Sequence, residues 1–151
     1  MAEINSRQAA LIAAGSKTLS NAIGTPRVLV LPSPAPVAWA QNDTFASGIR
    51  IPKGARFTCG SYASHGALTT SVTLDVGIRN FDTKTVIDAD GICAAVSVAA
   101  AGRTILNNGA LVATGAEYVT TEDVEVYATL GGANPTDDIQ LRLEIEFISY
   151  D

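Results

Sequence analysis

Few side chains in this sequence have chemistry to offer, and they are widely spaced. The single histidine, His65, sits in Ser64-His65-Gly66. Nucleophilic catalysis needs a base, a group to orient it and an oxyanion hole, and no G-x-S-x-G turn supplies the nucleophile. His65 therefore reads as an exposed turn residue. Cys59 and Cys93 are the only cysteines. With His65 they make three ligands of a zinc site, but no spacing matches a zinc signature and a fourth ligand is missing. They would form a disulfide only with α-carbons within about 7 Å, so they read as two buried thiols of a protein made in a reducing compartment. Asp88-Ala89-Asp90-Gly91 opens like a calcium loop. The fifth and twelfth positions, which need oxygen ligands, are Ile92 and Ala99, and the segment reads as an Asp/Gly turn.

Carboxylates gather near the C-terminus. Asp123 and Glu125 face outward from one alternating segment, and Arg142, Glu144 and Glu146 from the next. If the two segments pair as a hairpin with Leu130 opposite Ile139, Glu125 lies opposite Glu144 and Tyr127 opposite Arg142. Opposed like charges are destabilising, so a basic partner surface or a cation would relieve them. A glycosidase also uses two carboxylates, but it needs a sugar-lined cleft, and the chain has one Trp and four Tyr. A solvated acidic face is the plainest reading, with partner contact by Glu125, Glu144 and Glu146 next. No catalytic residue, metal ligand or cofactor-binding residue is expected.

The elements that carry these residues divide the chain in two. Residues 1–36 read as an N-terminal arm with a proline-rich hinge. Asn5 or Ser6 can cap a short helix through Gln8-Ala9-Ala10-Leu11-Ile12-Ala13-Ala14, Gly15-Ser16 interrupts it, and Leu19, Ala22 and Ile23 continue the apolar face. So short a helix is marginal alone and must dock on something. Arg27-Val28-Leu29-Val30-Leu31 reads as a strand or extended arm. Pro32-Ser33-Pro34-Ala35-Pro36 follows as a stiff extended segment. Trp39 is placed to anchor the arm by burying its rings. The expected contact residues of the arm are Arg7, Gln8, Leu11, Ile12, Leu19 and Ile23.

Residues 37–151 read as an all-β domain. Strands are expected over Thr44–Ile51, Arg56–Ala63 and Thr69–Ile78, with a turn at Pro52-Lys53-Gly54. Shorter strands are expected around 85–88, 94–99, 104–106 and 117–120, with a turn at Asn107-Asn108-Gly109. The clearest alternation puts Val72, Leu74, Val76 and Ile78 on one face. Val124, Val126, Ala128 and Leu130 form a second such set, and Ile139, Leu141, Leu143, Ile145 and Phe147 a third. Period-two patterning with one wet face is antiparallel behaviour, and about eight such strands predict a β-sandwich, with a jelly roll the first choice.

Composition narrows the partners. The 151 residues suit one domain with a tail. The hydrophobic fraction is 47% and the charged fraction 17%, against about 25% in an average soluble domain, so surface is expected to be hidden against a partner. The net charge is −5: residues 1–75 hold six basic and three acidic side chains (+3), residues 76–151 four and twelve (−8). A nucleic-acid binder that works by neutralising phosphates is excluded. No apolar run reaches the length of a membrane span, and the first residues lack the basic start of a signal peptide, so no membrane partner is expected.

Asn5-Ser6-Arg7-Gln8-Ala9, Ile51-Pro52-Lys53-Gly54-Ala55-Arg56, Thr73-Leu74-Asp75-Val76-Gly77 and a long closing strand ending at Tyr150 give the chain a layout that resembles small virion proteins of tailed bacteriophages. The resemblance covers most of the chain but leaves 81–118 unmatched. It implies a non-enzymatic head protein, made in the host cytoplasm and carried in the virion. Such a protein decorates or cements the capsid as a homo-oligomer, a trimer by preference, with an arm reaching a neighbouring subunit and the major capsid protein as partner. A head-fibre base or neck protein is the second role of this kind. A carbohydrate- or ligand-binding β-sandwich module is the competing class, with Asn107, Asn108, Asn134 and Tyr118 as its candidate contacts.

Overall fold

A computed structural model describes residues 14–15, 24–33, 39–115, 118–135 and 140–149. The elements are β1 (Thr25–Pro32), β2 (Thr44–Ala46), β3 (Arg56–Phe57), β4 (Tyr62–His65), β5 (Thr73–Asn80), β6 (Val86–Ser97), β7 (Gly102–Ile105), α1 (Ala110–Ala113), β8 (Val124–Gly131) and β9 (Leu141–Ser149). They form an antiparallel β-sandwich. Sheet A has the order β1-β9-β4-β7, with β3 also on β9; sheet B has the order β2-β8-β5-β6. No helix among the described residues is long and apolar enough to cross a membrane.

The core lies between the sheets, and alternation decides what enters it. Leu74, Val76 and Ile78 of β5 and Val124, Val126, Ala128 and Leu130 of β8 point inward from sheet B. Leu29 and Leu31 of β1 meet them from sheet A, with Leu141, Leu143, Ile145 and Phe147 of β9. All are buried. Ile139 lies outside the described residues.

The expected pairing of the last two strands does not occur. β8 pairs with β2 and β5, and β9 with β1, β3 and β4. Alternation tells which face of a strand is buried and not which strand lies beside it; here the two inner faces meet across the core. Glu125 is therefore opposite Arg79, not Glu144, and Tyr127 is opposite Gly77, not Arg142.

Other boundaries also differ. The expected strand 44–51 stops at Ala46, with Ile51 making an isolated bridge to Val124. The expected strand 56–63 is two strands, β3 and β4, separated by a turn at 58–61. The segments around 85–88 and 94–99 are one long strand, β6, bent by bulges: between Ile78↔Asp88 and Val76↔Cys93 the single residue Gly77 of β5 stands against four of β6, residues 89–92. Gly77 permits this, because a β-carbon there would stand 2.2 Å from the Asp88 carbonyl oxygen. Residues 118–120 form no strand. Asn107-Asn108-Gly109 is not a hairpin turn. It leads into α1, and the Asn108 side chain pairs with the backbone of Ala94, accepting from its N–H (3.0 Å) and donating to its carbonyl (2.7 Å).

Candidate interaction surface

The outer face of sheet A is built from residues that alternate with the core positions. Across the sheet, Val30 lies opposite Glu144, Glu144 opposite Tyr62, and Tyr62 opposite Ile105. Val28 lies opposite Glu146 in the next row. Val28, Val30 and Ile105 are 57%, 49% and 60% exposed, high for β-branched residues in a sheet. Between them sits a polar clamp. The Tyr62 phenol donates to Glu144 Oε2, Arg142 Nη2 lies 2.5 Å from Glu144 Oε1, and the Arg103 guanidinium stacks 3.6 Å from the centre of the Tyr62 ring. The hydrogen bond to Glu144 raises the Tyr62 pKa, because losing the proton would set two negative charges together. Glu146 Oε2 accepts from the Thr58 hydroxyl at 2.5 Å.

Of the residues expected to contact a partner, Glu144 and Glu146 lie on this face. Glu125 does not. It is on sheet B and only 1% exposed, closed off by two cations: Arg79 Nε at 2.7 Å and Lys84 Nζ at 2.8 Å, both on Oε1. Burial pushes its pKa up, but hydrogen bonds from Lys84 and Arg79 outweigh burial and hold the carboxyl below its ordinary range. The network continues outward. Lys84 and Arg50 lie 4.6 and 4.5 Å from the centre of the Phe81 ring. Arg50 also bonds Asp82 (2.9 Å) and Asp123 (2.6 Å). The backbone N–H of Lys53, then Arg50, lowers the Asp123 pKa. These charges satisfy one another and tie the β5–β6 turn to β8 and to the 50–53 segment. Arg79, at an outward position of an alternating strand, was the sequence signal for this pair.

Arg7, Gln8, Leu11, Ile12, Leu19 and Ile23 lie outside the described residues. Ala14 and Gly15, where the arm's helical pattern breaks, form an exposed turn with Gly15 at φ +70°. Trp39 is buried edge-on against Phe45, ring centroids 5.5 Å apart.

The remaining chemical candidates are internal. His65 is not an exposed turn residue; it is buried in β4. Its Nδ1 is 2.9 Å from the Gly66 carbonyl, to which it donates, so Nε2 accepts from the Thr104 hydroxyl at 3.0 Å. Both cysteines are free. Cys59 is exposed, contrary to expectation, because it sits in the 58–61 turn. Cys93 is buried, and burial pushes its thiol up to about 12. Asp88 turns back to accept from the Asp90 N–H. A cavity of about 290 Å³ on the outer face of sheet B is lined by Asp75, Ala89, Asp90 and Thr129. Among the described residues no three His, Cys, Asp or Glu side chains are grouped to hold a metal ion. Asn134 Oδ1 accepts from the Gln41 N–H, so it and Asn108 are engaged with backbone, not presented to a ligand.

Compared with known proteins, the chain matches no family model, no curated protein and no solved structure.

Proposed function

We propose that this chain is a non-enzymatic structural protein of a tailed-phage virion that decorates and stabilises the capsid. It docks on the major capsid protein through the arm, residues 1–24, and associates with copies of itself. The observation that carries this reading is the outer face of sheet A: exposed Val28 and Val30 stand on the strand that directly follows the arm, beside Glu144 and Glu146. An apolar stripe on an edge strand is a contact surface unless protected by charge. The strand orders β1-β9-β4-β7 and β2-β8-β5-β6, with connections that cross between sheets after β1, β2, β4, β6, β7 and β8, support a jelly roll for the domain. The resemblance implies a trimer.

The competing ligand-binding module loses support because Asn108 and Asn134 are spent on backbone. The test is binding to empty shells of the major capsid protein. The full chain should saturate the shell, and a chain lacking residues 1–24, shown folded by circular dichroism, should not. Saturation by the truncated chain would overturn docking through the arm.

A further inference from the structure

The edge of β1 has a hydrogen-bonding parity that its prolines fix. At the end of β1, Ser33 N–H donates to the Leu141 carbonyl (2.7 Å), and Leu141 N–H donates to Ser33 Oγ (3.3 Å). In an antiparallel ladder, hydrogen-bonded positions alternate, so the odd residues Arg27, Leu29 and Leu31 exchange bonds with β9. The even residues point their backbone groups away from β9. Two of these, Pro26 and Pro32, have no N–H to offer, which agrees with that parity. The outward edge thus presents the N–H and C=O groups of Val28 and Val30, bracketed by a proline on each side. Among the described residues no strand pairs with this edge. The valine side chains stand on the exposed outer face.

We infer that a second copy of this chain occupies the edge, β1 against β1 in antiparallel register about a two-fold axis at Leu29. This rests on the self-association in the proposed function and gives it a contact. In that register Val28 faces Val30 of the partner subunit, and each valine donates to and accepts from its opposite. Pro26 faces Pro32 of the partner subunit, so no N–H at the ends is left unpaired. The four valines form one apolar stripe across the joined sheets.

Charge favours this edge over other surfaces. Each chain carries −5 overall, whereas the only charge in Thr25–Pro32 is Arg27. Two like-charged copies can meet there without opposing carboxylates. A contact of this kind is isologous and closes at two copies. It makes a dimer the solution unit, in place of the trimer that the resemblance implies.

The experiment reads hydrogen exchange of the full chain by mass spectrometry, in the peptide covering 25–33, together with sedimentation for the mass. From about 1 to about 100 µM, exchange of the Val28 and Val30 amides should slow as the dimer forms. Val30→Pro deletes an outward donor and leaves the β9 ladder intact, so it should weaken the dimer by about tenfold or more while circular dichroism is unchanged. Val28→Lys with Val30→Lys should do the same through charge. A chain that is monomeric across this range, a trimer with both amides unprotected, or protection independent of concentration would each overturn the pairing. The last would place the chain's own arm on the edge. Shell binding by a monomeric chain would then leave the decoration role standing without the dimer.

Discussion

Arg79 and Glu125 face each other across β5 and β8, and their ion pair is closed from solvent on the carboxylate side, with Glu125 only 1% exposed. Lys84 shares the same oxygen. A buried carboxylate held this way is folded into the stability of sheet B. Its pKa lies below the ordinary value of 4.5, so the folded chain binds this proton less readily than the unfolded chain does. The stability it gives is present in full above the unfolded value and is lost as pH falls through the lower folded value. Asp123 acts in the same direction. Asp88, raised chiefly by burial, works against the trend. The melting temperature of the native chain should therefore fall between about pH 5 and about pH 3. Glu125→Gln should start lower and fall less steeply. A variant with an unchanged acid profile would contradict the role given to the pair.

Glu125→Gln should cost about 1–3 kcal/mol at neutral pH, because Arg79 and Lys84 lose their anion. Urea unfolding of the two chains measures it.

On sheet A, Glu144→Gln should behave differently. Its carboxylate is a surface partner of Tyr62 and Arg142, so stability should change by no more than about 1 kcal/mol. The Tyr62 phenol should titrate nearer its ordinary value, which ultraviolet titration of the tyrosines reads directly. An unmoved titration would mean that Glu144 does not hold that proton.

Core positions set the scale for these effects. Leu143→Ala and Val126→Ala, both at fully buried sites, should each cost about 2–4 kcal/mol by chemical denaturation. Gly77→Ala should cost about 2 kcal/mol or more, because the new β-carbon meets the Asp88 and Ala89 carbonyls where β6 crosses over.

The two thiols should differ sharply. In the native chain a thiol reagent should modify Cys59 within the mixing time of the assay and leave Cys93 until the chain unfolds. Equal rates would contradict the burial of Cys93.

The inner face of the sandwich was legible in the sequence. Val124, Val126, Leu143 and Ile145 alternate so cleanly that their burial follows from period two alone. Neighbour relations were not legible. Nothing local to Glu125 says that its partner is Arg79, 46 residues away, and an assumed hairpin put it beside Glu144 instead. His65 and Asn108 were misread for a related reason. Their flanking residues favour turns, but tertiary partners, Thr104 and Ala94, recruit both side chains into the sheets. The candidate surface was half legible: Glu144 and Glu146 were read as outward, while the exposure of Val28 and Val30 depends on β1 being an edge strand.

The most direct test of a capsid-decorating role is quantitative mass spectrometry of purified phage particles, counting copies of this chain for each major capsid subunit. A lattice-covering protein predicts copies in the hundreds. A handful would move the chain to a neck or fibre base. None at all would contradict the virion role and return the outer face of sheet A to a partner outside the particle.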